Sequence, residues 1–93
     1  MVIGLLSLEI FLPYAQSLKD KRRVMNAFKD RIKGRFNIAV AELDYQDKWQ
    51  RARYGIVTLN SQKSIVDQVL RKILLEAEQS LGAEITQAEI RYL

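Results

Sequence analysis

A four-stranded antiparallel sheet with two helices on one face, in the order β-α-β-β-α-β, is the α+β fold predicted for this 93-residue chain. Three observations predict it. Two stretches, opening near Ser17 and Ser61, space their apolar residues three and four apart, as one face of a helix requires. Four others are rich in β-branched and aromatic residues that alternate between two faces. The only proline, Pro13, and the glycines Gly34 and Gly82 fall at joints between stretches. A chain of this length, nearly half apolar, forms one core, so residues 1–93 are read as a single domain.

The first strand, VIGLLSLEIFL, places Val2, Gly4, Leu6, Leu8, Ile10 and Leu12 on one face, and Ser7 and Glu9 on the other among Ile3, Leu5 and Phe11. Pro13 has no backbone donor and closes it. Ser17 stands where a helix N-cap belongs, with Asp20 as a short-armed capping-box acid. At about 100° per residue, Leu18, Met25 and Ile32 align, Val24 and Phe28 flank them, and Lys19, Arg23, Asn26, Asp30 and Lys33 take the far side. Gly34 is expected just past the last turn, where Lys33 and Arg35 suit the negative end of the helix dipole.

A second strand is expected over FNIAVAELDY, with Phe36, Ile38, Val40 and Glu42 sharing a face. QDKWQ reads as the loop of a long hairpin, and RARYGIVTLN as the third strand. Ser61 is expected to cap the second helix, with Ile65, Val69, Leu70, Ile73, Leu74 and Ala77 as its buried stripe and Leu81-Gly82 as its end. AEITQAEIRYL closes the sheet, Ala88, Ile90 and Tyr92 alternating with Glu89 and Arg91.

This is the ferredoxin-like arrangement, which leaves the second sheet face without a helix. Leu5, Ala39, Ala41 and Leu43 fall on that open face, and an uncovered apolar surface predicts homo-oligomerisation through the sheet. The alternative is scattered surface hydrophobics.

Charge is regional. The formal charge of +4 conceals a segment, Ser17 to Arg35, that carries eight Lys or Arg against Asp20 and Asp30. Such a surface attracts a polyanion or an acidic partner and says nothing about the fold. The chain lacks cysteine and histidine, which removes disulfides, thiolate nucleophiles, imidazole bases and the usual zinc ligands. No cofactor or metal is expected, nor an enzymatic activity. The apolar run Val2 to Leu12 is too short for a bilayer and contains Glu9, so the expected setting is the cytoplasm, without membrane contact.

An RNA-reading sheet of this topology carries stacking aromatics on its central strands. The nearest match, Ala52 to Leu59, fits at Tyr54, Gly55 and Val57 but has Ile56 and Leu59 where aromatics belong. The first helix is the better nucleic-acid surface, with Lys19, Arg22, Arg23, Lys29 and Lys33 as candidate phosphate contacts. A solvated helix face with acid partners such as Asp30 is the competing reading.

Lys21 falls inside the apolar stripe, and Glu42 continues an apolar strand row, so a Lys21–Glu42 ion pair is expected, with Arg22 as the alternative cation. Glu42, Asp44 and Asp47 form an acidic run able in principle to hold Mg²⁺, and more commonly found as a salt-bridge network. Trp49, the only tryptophan, is either an interface anchor or a lid over one edge of the core.

SLKDKRRV and RFNIAVAELDYQDKWQRA, on this plan of elements, resemble the YlxP-like proteins of bacteria, a family known as domain of unknown function 503. The similar positions are Ser17, Leu18, Lys19, Lys21, Arg22, Ala41, Glu42, Asp44, Gln46, Asp47, Trp49 and Gln50, and Tyr45 stands where the family often has histidine. The resemblance implies a ferredoxin-like cytoplasmic protein without an assigned activity. It also implies, through association with translation and ribosome-maturation proteins, contact with RNA or a ribosomal particle. It groups Lys19, Lys21, Arg22, Glu42, Asp44, Asp47 and Trp49 as a candidate shared site. The competing function is an oligomeric protein-interaction module, and a carboxylate-bound metal enzyme is a distant third.

Overall fold

The computed structural model describes residues 1–93 and contains β1 (Val2–Phe11), α1 (Leu18–Arg35), β2 (Ala39–Asp44), β3 (Arg51–Asn60), α2 (Lys63–Ser80) and β4 (Glu84–Tyr92). The sheet order is β2-β3-β1-β4 and every pairing is antiparallel. Both crossovers carry a helix to the same face, so the sheet is covered once. The expected ferredoxin-like plan is therefore present.

Strand alternation sets the core. Leu6, Leu8 and Ile10 of β1 and Ala52, Tyr54 and Ile56 of β3 point into it, joined by Leu12 and Ala15 beyond β1 and by Met25, Phe28 and Ile32 of α1. Ser17 caps α1 as expected, its Oγ accepting the Asp20 N–H at 3.0 Å. The carboxylate of Asp20 returns to Gln16 N–H at 3.0 Å, one residue short of the cap.

Several boundaries differ from the sequence expectation, each for a visible reason. Gly34 lies inside α1: Phe36 N–H still reaches Ile32 O at 2.9 Å, so the helix runs past the glycine. The positive-φ exit belongs to Gly82 alone among the glycines, with φ of 62° just beyond Leu81. Ser61 does not cap α2. Asn60 organises that turn instead, its Oδ1 accepting Gln62 N–H at 3.0 Å, and Gln62 takes the N-cap position without a side-chain bond.

The buried stripe of α2 is Val66, Leu70, Ile73 and Ala77, while Ile65 faces solvent. The reason is Gly4. A Cβ built there would sit 2.4 Å from Val66 Cγ1 and 2.8 Å from Leu70 Cδ1, so these side chains occupy the space that the glycine leaves. β2 is shorter than FNIAVAELDY suggests: pairing with β3 begins only at Ala39, and the left-handed Tyr45, φ 64°, turns the chain after Asp44. In β4 the alternation slips by one residue at a bulge opposite Glu9/Ile10, so Ile85 and Ile90 both face inward although their numbers differ in parity. Ala88 is exposed.

Candidate functional site

Ion pairing divides the basic segment. Lys21 is 2% exposed and its ammonium donates to Glu42 Oε2 at 3.2 Å, Tyr45 O at 2.8 Å and Arg51 O at 3.2 Å. Three acceptors meet its three N–H donors, so the buried ammonium has every hydrogen bond satisfied. The expected Lys21–Glu42 pair is present, and Arg22, the alternative, is exposed on another face.

That ammonium stitches α1 to the hairpin between β2 and β3. Gln50 adds to the seam, Nε2 donating to Pro13 O at 3.0 Å and Ala15 O at 3.3 Å while its carbonyl accepts Leu12 N–H at 2.8 Å. The start of α1 and the Asp44–Trp49 segment are thus held at one end of the molecule.

Tyr45 joins the two faces of the sheet there. Its φ is 64°, a left-handed conformation that turns the chain at the end of β2. Its carbonyl accepts from Lys21 on the helix side, and its phenol donates to Glu9 Oε1 at 3.1 Å on the open side. Arg51 donates to the same phenol at 2.8 Å, and its guanidinium lies 4.0 Å from the Tyr45 ring centre. Thr86, the extra residue of the β4 bulge, donates to Glu9 Oε2 at 3.1 Å.

The acidic run is not gathered. Glu42 belongs to Lys21, and Asp44 Oδ1 accepts the Tyr45 N–H at 2.7 Å, stabilising the turn. Asp47 lies out on the loop with Trp49. No three Asp or Glu side chains converge in a metal-ligating arrangement.

The remaining cations of α1 are mostly free. Lys19, Arg22 and Lys33 are exposed and make no ion pair; Arg23 binds Asp20 at 2.8 Å and stays exposed. Asp30 pairs with none of them. Lys29 lies with its ammonium 5.7 Å from the Tyr54 ring centre, at the flank of the helix. Lys19, Arg22, Asn26, Lys29 and Lys33 follow one another at intervals of three and four, a stripe about 21 Å long. Arg31 and Arg35 turn the other way, to Ser80 and Glu76 on α2.

Tyr54, the one fitting aromatic of the RNA-reader pattern, is on the covered face and 4% exposed, so no stacking platform of that kind exists on the open face. Burial, and secondarily the charge of Glu42, push its phenol up to about 12. Trp49 is not a lid on the core. It is 54% exposed and lines a cleft of about 360 Å³ with Phe11, Asp47, Lys48, Gln50 and Arg51. Sequence reasoning left Phe11, Tyr45 and Arg51 out of the site. The sequence carries no signal for them: the β1–β3 register pairs Phe11 with Arg51, and Tyr45 and Arg51 meet through Glu9 only once the hairpin has formed.

Comparison with known proteins agrees with this framework. The family model "Protein of unknown function (DUF503)" matches residues 3–90. The chain belongs to the DUF503 family. A relative in Bacillus subtilis (strain 168), "Uncharacterized protein YlxP", is 31% identical over 90 residues, covering 95% of this chain and 98% of that protein. Among solved structures, the de novo designed ferredoxin-fold protein LFR1 1 superposes with a TM-score of 0.61 at 12% identity, over 100% of this chain and 84% of that one. The designed protein Foldit4 gives 0.54 at 14% identity, over 99% and 94%. These likenesses establish the fold and carry no information on activity. In the structure, the segments SLKDKRRV and AELDYQDKWQ form the two sides of the Lys21 seam. No helix is long and apolar enough to cross a membrane.

Proposed function

We propose that this DUF503 protein is a cytoplasmic, non-catalytic binding protein that contacts RNA, free or within a ribosomal particle, through the exposed stripe of α1. The observation that carries the reading is that Lys19, Arg22, Lys29 and Lys33 have no carboxylate partner. The six ion pairs of the molecule all use other cations. A stripe of unneutralised positive charge on a rigid helix attracts phosphates and reads no sequence.

The test is fluorescence anisotropy with a 12-nucleotide single-stranded RNA across a KCl series. Four phosphate contacts give a slope of log affinity against log salt of about −3. Lys19→Glu with Arg22→Glu should reduce that slope and weaken binding. A flat salt dependence, or a double variant that binds like the parent, overturns the proposal.

A second surface favours self-association. On the open sheet face, Leu43 and Leu59 are half exposed or more, beside Leu5, Val57, Ala39 and Ala41. A hollow of about 120 Å³ lies among Leu5, Ser7, Leu43, Arg53, Glu89 and Arg91, above the small side of Gly55. Apolar knobs, a hollow and both signs of charge on one patch are the ingredients of a self-complementary two-fold interface, so the proposed occupant is a second copy.

A further inference from the structure

We infer that the cleft between Trp49 and Phe11 is a nucleobase-stacking site that receives an unpaired base of the RNA whose backbone lies along α1. The inference rests on the RNA reading above and adds to it the ligand group and the residues that take it. Trp49 and Phe11 supply the apolar walls and Lys48 an unpaired cation at the rim; Asp47, Gln50 and Arg51, the last ion-paired with Glu9, complete the lining. The volume, about 360 Å³, lies toward the small end of ligand clefts, roughly 300–1,000 Å³, and suits one nucleotide.

The chemistry fits a base better than a lipid or a plain anion. A base offers a π-face to Trp49, and its phosphodiester meets Lys48, which has no ion pair. Asp47 would repel a bare anion, but its carboxylate, free of side-chain hydrogen bonds, accepts from the exocyclic amine of adenine or cytosine.

Rigidity supports the same reading. Trp49 sits between two anchored neighbours: Lys48 N–H donates to Tyr45 O at 3.0 Å, and Gln50 is bonded through both backbone and side chain to the segment preceding α1. The aromatic platform is presented by a braced turn, which limits the ordering entropy lost on binding. The same braces place it at the end of the molecule where the α1 stripe begins.

Trp49 is the only tryptophan, so its emission reports on the cleft directly. The probe is a 12-nucleotide oligo(A), titrated at low salt while Trp49 emission and the anisotropy of a labelled copy are followed together. Saturable quenching with the midpoint of the anisotropy curve is expected. Trp49→Ala should bind about 5- to 150-fold more weakly, while Trp49→Phe, which keeps an aromatic face, recovers much of the loss. Melting curves for both variants separate lost stacking from lost folding. If oligo(A) binds by anisotropy while Trp49 emission stays constant and Trp49→Ala binds like the parent, the stacking site is overturned and the α1 reading stands. If nothing binds at low salt, both fall. If Trp49 emission changes with protein concentration alone and not with oligo(A), the cleft is closed by a second copy and the inference is overturned.

Discussion

Lys21 and Tyr45 are the residues through which the start of α1 and the β2–β3 hairpin act on each other. Lys21 was legible from its angular position alone, since a charge within an apolar stripe needs a carboxylate and Glu42 was the acid out of place on a strand. Its other two acceptors, the carbonyls of Tyr45 and Arg51, were not legible, because a backbone oxygen leaves no mark on side-chain pattern. Glu42→Gln keeps the shape but weakens one of three contacts, and with Glu42 partly solvated the expected loss is about 1–2 kcal/mol in chemical denaturation. Lys21→Ala leaves Glu42 and two carbonyls around a cavity, and is expected to cost about 3–5 kcal/mol. Equal stability of parent and Glu42→Gln would show that the ion pair contributes nothing net.

Tyr54 gives a second prediction at this scale. Its phenol is raised from an ordinary 10.0 to about 12 by burial and then by Glu42. Below pH 10 both the folded and unfolded chains keep the proton. Between pH 10 and about 12 the unfolded chain ionises while the folded one does not, so stability falls across that window and levels off above it. Tyr54→Phe removes this group from the titration. Melting temperatures from pH 9 to 12 should therefore decline less steeply in Tyr54→Phe than in the parent.

Among the elements, α2 shows where periodicity stops being informative. Ile65 and Val66 are adjacent and both apolar, so either can head the stripe; what selects Val66 is the absence of a side chain at Gly4 on β1. A contact between elements distant in sequence thus decides a phase that the helix's own pattern leaves open. Gly4→Ala should lift α2 from β1 at a cost of about 1–3 kcal/mol. Val66→Ala in the same chain should recover part of it, since the clash at 2.4 Å is with a Val66 methyl. Additive losses in that double-mutant cycle would mean that the two residues do not compete for the space.

The end of β4 is tied to the start of α2 in a comparable way. Tyr92 donates to Asp67, Arg71 bonds the same carboxylate at 2.8 Å, and Lys63 lies 4.5 Å from the Tyr92 ring centre. The hydrogen bonds from Tyr92 and then Arg71 hold the Asp67 carboxyl below its ordinary 3.8. A lowered folded value means that the contribution is complete above the unfolded pKa and fades as pH drops through the folded one. Acid unfolding of Asp67→Asn should accordingly lack that part of the pH dependence, with the two melting curves converging below pH 3.8.

Across the whole molecule, the sheet has one covered face and one open face, and the open face changes character along its length. Near Ile3, Leu5, Val57 and Leu59 it is apolar; near Glu9, Arg51 and Arg53 it is a charged and aromatic network that ends at the Trp49 cleft. Alternation predicted which residues lie on this face but not the gradient, because register between β2, β3 and β4, including both bulges, sets which rows align. The proposed two-fold interface belongs to the apolar end. Leu43 is the residue that separates it from a merely uncovered surface, since it rests against Gly55, with Cδ1 2.9 Å from where a Cβ would stand, and is still 50% exposed. A second copy that covers this patch removes Leu43 from water. Leu43→Glu places a charge at a half-exposed position that packs within one protomer on Gly55, so the fold should survive while association is lost. Sedimentation velocity across a concentration series should show the parent shifting from one copy toward two, with Leu43→Glu remaining at one. A parent that stays at one copy throughout refutes the interface and leaves the separate proposal for the α1 stripe untouched.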